Sequence, residues 1–78
     1  MEDLVRYIVE NLVENKDSVE ITAEDSEKSC VLSILVDKKD IGKVIGRDGK
    51  IARSIRTIVK SASAKLNKKY IVKIGERD

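Results

Sequence analysis

The sequence predicts an α+β domain: a three-stranded mixed sheet with three helices on one of its faces. Three observations carry that expectation. Apolar residues recur at helical spacing in three segments, and aliphatic strand-like runs occupy three others. The resulting order is helix, strand, strand, helix, helix, strand. Finally, 78 residues allow one domain with one thin core, since a chain this short buries only about 60% of its unfolded surface.

Leu4, Val5, Ile8 and Leu12, with Tyr7 beside them, lie on one helical face, and Asp3 is placed to cap it, so residues 3–14 read as helix. Val9 and Val13 widen that face to a second side, which suits either deeper burial in the same core or contact with a partner chain. Ser18 to Glu24 alternates Val19, Ile21 and Ala23 with polar residues, the pattern of a strand with one wet face. After a polar turn, Ser29 to Asp37 is aliphatic on both alternating sets, as for a central strand buried on much of both sides. These two strands pair as an antiparallel hairpin.

After Asp37 the period changes from strand to helix. Asp40 is placed to cap a short helix containing Ile41, Val44 and Ile45, which ends at Gly46. Gly49 opens the longest helix, which runs to about Asn67. On it Ile51, Ile55, Ile58, Val59, Ala62 and Leu66 form an apolar stripe, and Lys50, Arg53, Arg56 and Lys60 cluster on the opposite side. Tyr70 to Ile74 supplies the last strand, ended by Gly75, and it lies parallel to the second strand after a right-handed helical crossover.

Net charge is only +2, but it is segregated. Residues 1–36 hold nine acids and three bases, and residues 37–73 hold twelve bases and three acids. A second half with a net charge of +9 points to an anionic partner. The acids in MEDLVRYIVENLVEN and the charges that interrupt its apolar run fit neither a signal peptide nor a membrane span. Cys30 is alone, so no internal disulfide forms; it reads as a small buried hydrophobe in a reducing cytoplasm. With no His, no acidic pair around a cleft and this one Cys, the sequence offers no base, nucleophile, metal cluster or cofactor site.

The stretch Gly46-Arg47-Asp48-Gly49 joins two helices. The first turn of the second presents unpaired N–H groups and the positive end of its dipole, and the two glycines leave the backbone bare there. Lys43, Arg47, Lys50 and Arg53 ring the spot, so an anion such as phosphate is favoured. A mononucleotide P-loop does not fit, because no Gly stands five residues before a Gly-Lys-Ser or Gly-Lys-Thr. A dinucleotide fingerprint fails as well.

The run Val44-Ile45-Gly46-Arg47-Asp48-Gly49-Lys50-Ile51-Ala52-Arg53-Ser54-Ile55 resembles the signature of KH domains, a Gly-x-x-Gly loop between aliphatic helices. The αββααβ order extends the resemblance to the type II KH arrangement over almost the whole chain, 1–78. The length, the N-terminal helix and the GRDGK loop are further similar to the small stand-alone bacterial KH proteins of the KhpA family. That resemblance implies a cytoplasmic protein that binds single-stranded RNA, as an RNA chaperone or post-transcriptional regulator. It also implies a homodimer, or a heterodimer with a second KH-containing protein. Carried over residue by residue, Gly46 and Gly49 let the RNA backbone approach, and Arg47 and Lys50 meet its phosphates. Ile41, Val44, Ile45 and Ile51 line an aliphatic groove closed by the last strand. Asp48 is awkward beside a phosphate, and either points away or accepts a hydrogen bond from nearby N–H groups. Tyr7 and Tyr70 are the only aromatics, so the aromatic platform of an RRM is missing.

Two other readings stay open. A KH fold used only for protein pairing with little RNA binding has the same sequence pattern. A DNA-binding helix-turn-helix would place the long basic helix in a major groove, though three strands accompany it here.

Overall fold

The computed structural model describes residues 1–77 and has the expected element order. Helix α1 spans Glu2–Glu10, strands β1 and β2 span Glu20–Asp25 and Ser29–Asp37, helices α2 and α3 span Ile41–Ile45 and Lys50–Ser63, and strand β3 spans Lys69–Arg77. The sheet order is β1-β2-β3, antiparallel between β1 and β2 and parallel between β2 and β3. In β2 every second residue, Cys30, Leu32, Ile34 and Val36, is buried beneath the helices, while the residues between them are only half-buried. One sheet face therefore carries the core, and the other is only partly covered.

Several local expectations are corrected. Helix α1 ends at Glu10 rather than residue 14, because the Asn11 side chain donates to the Tyr7 carbonyl at 2.7 Å and the Leu12 N–H closes a tight turn on Val9 at 2.9 Å. Met1 sits at its N-cap; Asp3 lies in the first turn, where an acid favours the helix dipole without capping it. The buried line is Val5-Val9-Val13, whereas Leu4 is exposed and Tyr7 is 70% exposed. Burial in the core thus accounts for the wide apolar face. A 3-10 turn at Lys16–Ser18 removes Ser18 from the strand.

In α3 the buried line is Ala52-Ile55-Val59-Ser63, rotated from the expected stripe, and Ile58 and Leu66 remain 42% and 54% exposed. The helix stops at Ser63, and Asn67 takes a left-handed conformation, φ 51°, in the turn into β3. Gly75 does not end β3. It pairs with Leu35, whose Cδ2 would lie 3.3 Å from an added Cβ, and the parallel ladder continues to Arg77 opposite Asp37. Arg77 also donates to the Ser18 carbonyl at 3.2 Å and pairs with Glu20 at 3.7 Å, so tertiary partners hold the strand beyond its apolar run.

Candidate nucleic-acid interface

The connection between α2 and α3 is a tight turn flanked by two glycines. Gly46 ends α2 with φ 77° and ψ 175°, a region that glycine alone occupies readily. Its missing side chain also makes room: a Cβ there would lie 2.6–2.9 Å from three side-chain atoms of Ile51. Asp48 (φ 54°) and Gly49 (φ 74°) are both left-handed, which reverses the chain into α3 at Lys50. Asp is among the few non-glycine residues that visit this region readily. The turn is fastened by Gly46 N–H to the Gly42 carbonyl at 2.9 Å and Gly49 N–H to the Gly46 carbonyl at 3.2 Å.

Around it, Arg47, Asp48 and Lys50 are exposed. Among the described residues Arg47 and Lys50 form no ion pair, so their charges add to the positive end of the 14-residue α3. The Asp48 carboxylate accepts no hydrogen bond among the described residues; its backbone carbonyl instead receives Arg53 Nη2 at 2.7 Å.

Lys43 is placed differently from its neighbours. At about 100° per residue it lies nearly opposite Ile41 and Ile45 on α2, with its ammonium 3.0 Å from Glu14 and 3.5 Å from Asp40. The hydrogen bond to Glu14 is the main reason its pKa is raised. Asp40 occupies the α2 N-cap position without capping the helix. Its buried carboxylate accepts the Asn15 backbone N–H at 2.9 Å and the Asn15 amide at 3.0 Å. These bonds, the backbone one first, lower its pKa. Lys43 and Asp40 thus fasten the segment after α1 to α2.

A groove of about 830 Å³ runs between the second half of α3 and the start of β3. Arg56, Lys60, Ser63, Ala64 and Asn67 line its helical side, and Lys68, Lys69, Tyr70, Ile71 and Val72 line the strand side. Arg56 and Lys60 continue the flank of α3 that begins with Lys50 and Arg53, giving a cationic track of roughly 15 Å from the turn into the groove. The four aliphatic residues expected in a groove do not line this one. Val44 is fully buried in the core, Ile41 and Ile51 are half-buried against it, and Ile45 is partly exposed. Ser63, Asn67 and the Lys68-Lys69-Tyr70 run line this groove, and periodicity did not single them out. The available signal was that basic pair beside one of only two aromatics. Lys68 is ion-paired with Asp25 at the end of β1, which ties the strand side of the groove to the sheet and raises the lysine pKa.

The arrangement suits binding: cations beside a turn with two side-chain-free residues, and an apolar floor with one aromatic ring. Among the described residues no three His, Cys, Asp or Glu side chains are grouped to hold a metal ion, and no helix is long and apolar enough to cross a membrane.

Comparison with known proteins gives consistent similarities. The family described as KhpA/KhpB, KH domain, matches residues 2–74. The "RNA-binding protein KhpA" of Aquifex aeolicus is 40% identical over 76 residues, covering 97% of this chain and 96% of that protein. The protein of the same name from Clostridium perfringens is 43% identical over 74 residues, covering 95% and 99%. That of Listeria monocytogenes serovar 1/2a is 41% identical over 76 residues, covering 97% and 100%. No solved structure matches the chain.

Proposed function

Because this chain belongs to the KhpA/KhpB family of KH domains, we propose that it is an RNA-binding protein holding a single-stranded segment of about four nucleotides. The observation that carries this reading is the Gly46–Gly49 turn, bare and left-handed, feeding a line of cations into the α3–β3 groove. Arg47 and Lys50 meet phosphates at the turn. Arg56 and Lys60 follow the backbone along α3, and bases lie against Ala64, Val72 and the Tyr70 ring. Lys43 and Val44 support the site from outside it. With one ring in place of a platform, affinity per copy is modest and falls with added salt. The role is recognition without catalysis or cofactor, in the cytoplasm, as an RNA chaperone or post-transcriptional regulator. The chain acts as a pair, with a second copy or a second KH-containing protein; the exposed Ile58 and Leu66 on α3 support such pairing.

The test is Arg47→Asp. Arg47 is exposed and supports no core, so folding changes by no more than about 0.5 kcal/mol. Binding of single-stranded RNA weakens by roughly 1–3 kcal/mol, because a cation is removed and a like charge added at the phosphate seat. A variant that melts normally and binds RNA as tightly as the parent would refute the assignment. Tighter binding to duplex DNA than to single-stranded RNA would favour the helix-turn-helix reading.

A further inference from the structure

We infer that Arg53 is a positioning residue that locks the Asp48–Gly49 peptide of the turn, and not one of the phosphate contacts of the track in which it lies. The inference rests on the RNA-binding reading for its functional consequence, but its geometry stands alone. The Asp48 carbonyl and the Gly49 N–H belong to one peptide unit, whose two polar atoms point in opposite directions. The N–H is tied to the Gly46 carbonyl at 3.2 Å and the carbonyl to Arg53 Nη2 at 2.7 Å, so the unit is pinned on both sides. Without the second tie it is poorly restrained. Gly49 has no Cβ, and none of the surrounding heavy atoms lies within 4 Å of where one would be, so the peptide can rotate about its two flanking bonds.

Rotation would matter for the ligand. It would break the Gly49 bond and set the Asp48 carbonyl, an acceptor, against the Gly46 carbonyl, so the backbone that carries Arg47 and Lys50 would have to rearrange. Arg53 prevents this from α3, donating a charge-assisted bond to a carbonyl that lies just before the helix. A guanidinium engaged in this way fixes the backbone on which Arg47 and Lys50 are mounted, a task that an ammonium at the same position performs less well because it lacks the planar fork.

The experiment uses the full chain and Arg53→Met, which keeps the aliphatic stem and helix propensity, with Arg53→Lys as a charge-preserving control. The first arm needs no RNA: amide exchange of Gly49 is followed by NMR. Locking predicts clearly faster exchange in Arg53→Met, and partial protection in Arg53→Lys. The second arm measures affinity for a pool of random single-stranded RNA octamers over a series of salt concentrations. Locking predicts binding weakened about 3- to 10-fold in Arg53→Met with the slope of log K against log salt unchanged. A phosphate contact would instead reduce that slope by about 0.7. An unchanged Gly49 exchange rate overturns the lock, and a slope reduced by about 0.7 overturns the claim that Arg53 makes no phosphate contact, whatever the exchange rate. If the parent chain fails to bind the RNA pool, the functional reading fails, and the exchange arm still decides whether Arg53 locks the turn.

Discussion

The two glycines of the turn have different physical duties, and alanine substitution separates them. In Gly46→Ala the new Cβ would lie 2.6 Å from Ile51 Cγ1 and 2.9 Å from its Cβ and Cδ1, at a backbone φ of 77°. The backbone conformation costs of order 1–3 kcal/mol for a residue with a side chain, and the overlap adds about 1–3 kcal/mol as overpacking. Rotation of Ile51 cannot relieve all of it. Its Cβ is fixed to the first turn of α3, and a β-branched residue in a helix has one favoured χ1, so the helix itself must shift. The sum is roughly 2–6 kcal/mol, a large share of the stability of a small domain. Gly49→Ala meets no atom within 4 Å and pays only for its left-handed φ of 74°, about 1–2 kcal/mol. Urea unfolding followed by circular dichroism on the parent and both variants measures the difference. Gly46→Ala with Ile51→Ala tests its origin, since removing the Ile51 side chain beyond Cβ recovers part of the overpacking cost and makes the pair non-additive. If Gly46→Ala costs no more than Gly49→Ala, or if the double variant is simply additive, the close approach of Gly46 to Ile51 is not what fixes this glycine.

Three further outcomes follow from other parts of the molecule. The Asp40 carboxyl is held below its ordinary value of 3.8, chiefly by the Asn15 backbone N–H. Its stabilisation is therefore complete above that value and lost as pH falls through the lower folded one; Asp40→Asn melts lower at neutral pH and loses less on acidification, and parallel melting curves against pH would refute this. The Cys30 thiol is buried and its pKa raised, mainly by desolvation, so a thiol reagent at mildly alkaline pH labels it slowly in the native protein and quickly in denaturant; rapid native labelling would contradict that burial. On the proposed pairing through α3, Ile58→Glu, at a position 42% exposed, leaves the circular dichroism of the folded domain unchanged but abolishes self-association in sedimentation; a variant that still pairs places the contact elsewhere.

The sequence by itself determined the order of elements, the antiparallel β1–β2 hairpin, the parallel β3, and the turn with its two glycines and flanking cations. Each of these is written in local terms: a change of hydrophobic period, a polar turn, residues without Cβ between two helical patterns. Tertiary structure decided which flank of each helix is buried, because periodicity defines a stripe only to within about one residue step, or roughly 100°. Hence Val5-Val9-Val13 faces the sheet where Leu4 and Tyr7 were equally compatible, and Ala52-Ile55-Val59-Ser63 faces it where Ile58 and Leu66 fit the same period. The same step placed Val44 in the core and Lys43 against Glu14 and Asp40. The groove was also beyond local reading: its walls come from α3 and from a strand that begins after the following turn, with Asp25 from β1 holding Lys68 at its rim. Its lining exists only once the sheet has brought β3 beside β2, because pairing between distant segments, and no pattern within either, sets which residues face one another.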